Sequence, residues 1–153
     1  MLGEILENVR SKSPLIQNIT NYVTANDCAN ITLACGASPT MSDGEEEAEE
    51  MGRLCDGLNI NMGTLHPRSV KAMLLAGKSA GSCGHPIVLD PVGAGASTYR
   101  RKTAEQLLRE IAFTAIRGNI SEIKTIAGGG NSSKGVDADA ADAVTGENLE
   151  KTI

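Results

Sequence analysis

The feature that most constrains this chain is a regular alternation of two kinds of segment. Five short apolar runs occur in order: Pro14–Ile19 (PLIQNI), Ala37–Met41 (ASPTM), Gly57–Asn61 (GLNIN), Pro86–Asp90 (PIVLD) and Phe113–Arg117 (FTAIR). An amphipathic opening helix precedes them, and helical segments at Val23–Ala34, Glu45–Leu54, Arg68–Ser82 and Thr103–Ile111 separate them. In the last of these, Leu107, Leu108 and Ile111 recur at helical spacing. Strand and helix taking turns predict parallel βαβ units, and so an α/β layered fold with a mostly parallel central sheet flanked by helices. The 153 residues suffice for one domain with a real core. Aromatic residues make up only 2%, so that core must be built from Ala, Val, Ile, Leu and Met.

Charge and composition narrow the function. A formal charge of −5 argues against a nucleic-acid partner, because a phosphate backbone requires a basic surface. The N-terminus MLGEILENVR is charged and amphipathic, unlike a signal peptide, and no run approaches the roughly 18 apolar residues of a membrane span. The expected location is the cytoplasm. Cys28, Cys35, Cys55 and Cys83 form no C-x-x-C pair, so they read as packing residues or free thiols. His66 and His85 lie beside prolines and read as loop residues rather than ligands. The acidic run DGEEEAEE (43–50) reads as a solvated helix start whose charges complement the dipole.

Open α/β sheets bind ligands beyond the carboxyl ends of their strands. Here those positions hold Thr20-Asn21, Met41-Ser42, Met62-Gly63-Thr64, Asp90 to Gly93 and Gly118-Asn119. Residues 87–98, IVLDPVGAGAST, place an aspartate and a glycine-rich turn directly after a strand. The turn fails the G-x-G-x-x-G fingerprint at its last glycine, and no G-x-x-x-x-G-K-[ST] occurs anywhere. A dinucleotide site of the Rossmann kind and a Walker loop are therefore both unsupported. Backbone amides there could still cradle oxygen atoms, and Asp90 could hold a magnesium ion through water.

Several motifs in order carry more than any one. SPLIQNITNYV, GASPTMSDGEEE, LNINMGTL, PIVLDPVGAGAST and AIRGNISEI together resemble the hydroxyethylthiazole kinases, ribokinase-like vitamin kinases of thiamine salvage. The resemblance runs from about Ser13 to Ile123. It implies phosphoryl transfer from ATP to the hydroxyl of 4-methyl-5-(2-hydroxyethyl)thiazole. It also implies that Asn21, Val23 and Met41 line the thiazole pocket, completed by Gly63 and Thr64 from a neighbouring subunit of a homotrimer. By the same resemblance Asp90 and Glu122 serve a Mg2+–phosphate region, and Arg117 contacts ATP phosphate with Asn119 nearby.

Two family elements have no counterpart here. The catalytic G-[AT]-G-C anion loop is absent, since no cysteine follows Cys83 and Gly128-Gly129-Gly130 runs into Asn131. Thr145-Gly146-Glu147 imitates a nucleotide-contacting T-G-E, but the preceding DADAADAV is no buried strand, and a helix start is the better reading. Residues 128–143 read as a flexible excursion. The expectation is that residues 1–153 are the N-terminal part of a single kinase domain, inactive as such and with no catalytic base or anion-hole residue of their own. Two other readings stand beside it: a non-catalytic thiazole-binding or interaction module, and another ribokinase-like enzyme such as a dehydratase acting on hydrated nicotinamide cofactors.

Overall fold

The computed structural model describes residues 2–128, and over them the expected alternation is realised. Helix α1 (Leu2–Lys12) leads into β1 (Leu15–Ile19), α2 (Ala25–Cys35), β2 (Ser38–Thr40), α3 (Ala48–Leu54) and β3 (Gly57–Asn61). Then come α4 (Pro67–Ser82), β4 (Ile87–Asp90), α5 (Thr98–Glu110), β5 (Ala115–Ile116) and α6 (Ile120–Ile126). All five strands are parallel, in the order β2-β1-β3-β4-β5. The chain steps outward from β1 to β2, then returns to β3 on the other flank of β1. The carboxyl ends of β1 and β3 thus bracket a topological switch point, where such sheets bind ligands.

Parallel strands covered on both faces usually read as continuous apolar runs. These strands alternate instead. Register pairs Ile19 with Ile60 and Ile60 with Leu89, and it pairs Leu58 with Ile87. These five side chains share one face and join a buried cluster with Ala48 of α3, Ala72, Met73, Ala76 and Ala80 of α4, and Ala104 and Leu107 of α5. The intervening positions, Asn18 with Asn59 and Asn61 with Asp90, are register partners on the other face. One face of the sheet is a hydrophobic core, and the other is a polar floor.

The helices follow this division. Seven residues of α4 are buried, and α3 approaches it so closely that a Cβ on Gly52 would lie 2.7 Å from the Ala76 carbonyl oxygen. In α2, by contrast, no residue is buried, although Ile31 and Leu33 are apolar.

Several boundaries differ from expectation. Helix α5 starts at Thr98, not Thr103, because Ser97 accepts the Arg100 N–H at 3.2 Å and caps it. Helix α6 lies where no helix was expected. Its start is a reciprocal capping box: Asn119 Oδ1 accepts the Glu122 N–H (2.9 Å) and Glu122 Oε2 accepts the Asn119 N–H (2.8 Å). His66 likewise caps α4, its Nδ1 accepting the Ser69 N–H at 3.2 Å. All four cysteines are free thiols, and among the described residues no helix is long and apolar enough to cross a membrane. Residues 129–143 of the expected excursion, and the helix start near Thr145, lie outside the described residues.

Candidate functional site

A cavity of about 510 Å3 opens on the polar face at the carboxyl ends of the strands. Asn21, Val23, Thr24 and Cys28 line it from the β1–α2 side, and Asn59, Asn61, Gly63 and Thr64 from β3 and the loop after it. Asp90, Val92 and Arg117 close the opposite end. The wall is neutral and mixed in polarity, with its charges gathered at that one end. Such a site suits a small, largely uncharged ligand that offers a reacting group toward the charges.

A chain of hydrogen bonds crosses the floor. Asn21 Nδ2 donates to Asn61 Oδ1 at 2.9 Å, and Asn61 Nδ2 donates to Asp90 Oδ2 at 2.7 Å. Arg117 donates to the same Asp90 oxygen at 2.7 Å. The amide of Asn61 has only one workable orientation, because its Oδ1 also accepts the Gly63 N–H at 2.8 Å and a backbone amide can only donate. Asn21 in turn accepts the N–H groups of Val23 (2.9 Å) and Thr24 (3.0 Å), folding the turn that launches α2.

Asp90 is 4% exposed. Burial pushes its carboxyl above the ordinary carboxylate range; Arg117 pulls it back, the charge of Glu122 adds to the rise, and the Asn61 hydrogen bond opposes it. A desolvated acid of this kind gains from any further positive charge brought beside it. The Arg117 side chain is 73% exposed and so faces solvent as well as Asp90.

Three amides of the glycine-rich turn after β4 are taken up by partners within the chain. Gly93, at φ 64, donates its N–H to Glu122 Oε1 at 2.8 Å. Ala94 donates to the Pro91 carbonyl and Ala96 to that of Gly93. The turn therefore anchors α6 against β4 through Glu122. Arg100, on α5, fastens it from the other side: its guanidinium donates to the carbonyls of Met62 (2.6 Å), Val92 (2.9 Å) and Gly63. Sequence reasoning singled out neither Arg100 nor Asn61. The alternation L-N-I-N in β3 was the available signal for Asn61, since it puts Asn59 and Asn61 opposite the core. Nothing local marks Arg100.

The sequence profile described as "HK: Hydroxyethylthiazole kinase family" matches residues 6–152. The chain belongs to the hydroxyethylthiazole kinase family. A hydroxyethylthiazole kinase of Clostridium acetobutylicum is 60% identical over 153 residues, covering 100% of this chain and 56% of that protein. One from Clostridium beijerinckii is 52% identical over 145 residues, covering 95% of this chain and 52% of its own length. The solved hydroxyethylthiazole kinase protein of Pyrococcus horikoshii OT3 superposes with a TM-score of 0.78 at 46% identity, over 82% of this chain and 49% of that one. The chain spans about half the length of the curated relatives it matches.

Within this hydroxyethylthiazole kinase family chain, Asn21, Val23, Gly63, Thr64, Asp90 and Arg117 all line one cavity. Gly63 and Thr64 reach it within a single chain: Thr64 Oγ1 accepts the Tyr22 N–H at 3.2 Å, and a Cβ on Gly63 would stand 2.6 Å from that of Asn21. Met41 is 38% exposed just past β2 and does not line the cavity. Asn119 and Glu122 are also outside its lining, joined to each other in the cap of α6.

Proposed function

We propose that the protein carrying these residues phosphorylates the hydroxyl of 4-methyl-5-(2-hydroxyethyl)thiazole with ATP, a step of thiamine salvage carried out in the cytoplasm. The observation that supports this best is the Asp90–Arg117 pair at one end of an otherwise neutral cavity. Asn21, Val23, Gly63 and Thr64 hold the heterocycle. Met41 belongs with Asn21 and Val23 in this reading, with Gly63 and Thr64 of a neighbouring copy completing the pocket. Arg117 favours the ionised form of Asp90 against its burial and offers positive charge to the phosphate oxygens of ATP, with Asn119 close by. Phosphoryl transfer needs placement and charge more than covalent chemistry.

The family implies magnesium, and the donor set fits a loosely held ion. Among the described residues no group of three or more His, Cys, Asp or Glu could cage a metal. Mg2+ keeps several waters and is commonly held by one or two carboxylates and substrate phosphates. Asp90, raised by burial, is the first such carboxylate, and Glu122 acts beside it through its charge. When bound, the ion neutralises charge on the transferring phosphate.

A homotrimer is part of this proposal. Tyr22 and Val23 are 71% and 87% exposed beside the cavity, and Ile31 and Leu33 continue the apolar surface along α2. A neighbouring copy would cover them. The residues described here belong to one ribokinase-like domain, of which residues 1–153 hold the thiazole side. The deciding assay is turnover of the thiazole alcohol with ATP by the full product of the reading frame. Asp90→Asn and Arg117→Ala are each expected to lower kcat by about 10²–10³. A folded product that ignores the alcohol would overturn the proposal. A polypeptide of residues 1–153 alone should bind the alcohol without turning it over, because it contains no G-[AT]-G-C loop. The reading as a binding module would gain if the full product did the same.

A further inference from the structure

We infer that Asn61 is a positioning residue that couples the two halves of this site, holding the thiazole-side turn with one end of its amide and the phosphate-side carboxylate with the other. The inference rests on the function proposed above for its kinetic consequence, but its structural part stands alone.

The argument is one of donors and acceptors. Asn61 Oδ1 takes two hydrogens, from Asn21 Nδ2 and from the Gly63 N–H. Both donors belong to cavity-lining residues. Asn61 Nδ2 gives one hydrogen to Asp90 Oδ2, which Arg117 also contacts. The residue is 8% exposed and sits at the last position of β3, next to Asp90 in register across the strands. A planar amide cannot rotate about its terminal bond without losing all three contacts at once. Asn61 therefore sets the angle of the Asn21 turn relative to the Asp90–Arg117 pair. Phosphoryl transfer is sensitive to such placement, because the attacking hydroxyl and the phosphate must meet in line.

Two variants separate the ends of the amide. Asn61→Asp keeps an oxygen toward Asn21 and Gly63 but replaces the neutral amide donor to Asp90 with a second carboxyl group, which repels the Asp90 carboxylate or shares a proton with it. Asn61→Ala removes both functions. In the ligand-free protein, hydrogen exchange at the Gly63, Val23 and Thr24 amides should accelerate by about tenfold or more in Asn61→Ala and stay near the wild-type rate in Asn61→Asp. In the kinase assay, Asn61→Asp should hold KM for the alcohol within about threefold while kcat falls roughly 10–100-fold, whereas Asn61→Ala should damage both. A residue that only stabilised the fold would move the two parameters together in both variants. Unchanged exchange at Gly63 in Asn61→Ala would overturn the inference whatever the substrate. So would equal kinetic parameters for the two variants. If the exchange pattern appears but the wild-type protein does not phosphorylate the thiazole alcohol, the proposed substrate falls and the coupling by Asn61 stands.

Discussion

The two faces of the sheet are made by neighbouring residues of the same strands, yet they are built on different terms. On one face Ile19, Leu58, Ile60, Ile87 and Leu89 meet α3, α4 and α5 with little or no exposure. On the other, Asn18, Asn59, Asn61 and Asp90 form hydrogen-bonded pairs beneath a cavity, and α2 buries no residue over them. Burial of aliphatic surface stabilises the first face. Direction fixes the second, because the oxygen and nitrogen ends of each amide must face donors and acceptors that are already in place. Stability and function therefore occupy alternate positions of the same five-residue strand.

The sharpest way to break that comparison is to truncate adjacent residues. Ile60→Ala should cost about 2–5 kcal/mol, the range for a large aliphatic side chain lost from a packed core. Asn59→Ala, one position earlier, loses only its contact to Asn18 and should cost about 0.5–1.5 kcal/mol. Urea midpoints would compare them, and similar losses would mean that the faces are not distinct. Next in size is Gly52→Ala, where the new methyl meets backbone rather than a movable side chain; about 1–3 kcal/mol is expected by the same measurement.

A smaller effect concerns pH. Asp90 binds its proton more tightly in the folded chain than in the unfolded one. Its contribution to stability is therefore complete below the unfolded value and is lost as pH rises through the folded one. Wild type minus Asp90→Asn stability should thus decline with pH just above the ordinary carboxylate range. A difference that rises there would reverse the assignment of Asp90 as a desolvated acid. Smallest of all, Arg68→Ala should change stability by no more than a few tenths of a kcal/mol, since its pair with Glu46 is about 70% exposed on both sides.

Much of this was legible before any coordinates. The five strands fell within the expected runs, because parallel α/β proteins repeat one short grammar and apolar strands stand out from amphipathic helices. The residues at the carboxyl ends of the strands were legible for the same reason: Asp90 closes β4, and Asn21, Gly63 and Thr64 lie in the loops just past β1 and β3. What was missed turned on partnership. N-I-S-E at 119–122 is a helix start, but Asn119 and Glu122 were read for the chemistry the resemblance assigned them, and the short helix they begin went unseen. In the sequence Ser97 reads as part of the turn, but it caps α5 and so sets the helix start at Thr98. Arg100 lies 37 and 38 residues from two of the carbonyls it binds, and no window of sequence contains both.

That last contact has a mechanical consequence. One guanidinium spans the loop after β3 and the loop after β4, so these two loops of the far wall are tied to each other. The near wall is the Asn21 turn, which side chains alone tie to the loop after β3, Asn21 to Asn61 and Thr64 to the Tyr22 N–H. A ligand in this cavity lies between a wall that a helix side chain clasps by its backbone and a wall whose ties to the rest of the site run through amide and hydroxyl side chains at the root of α2.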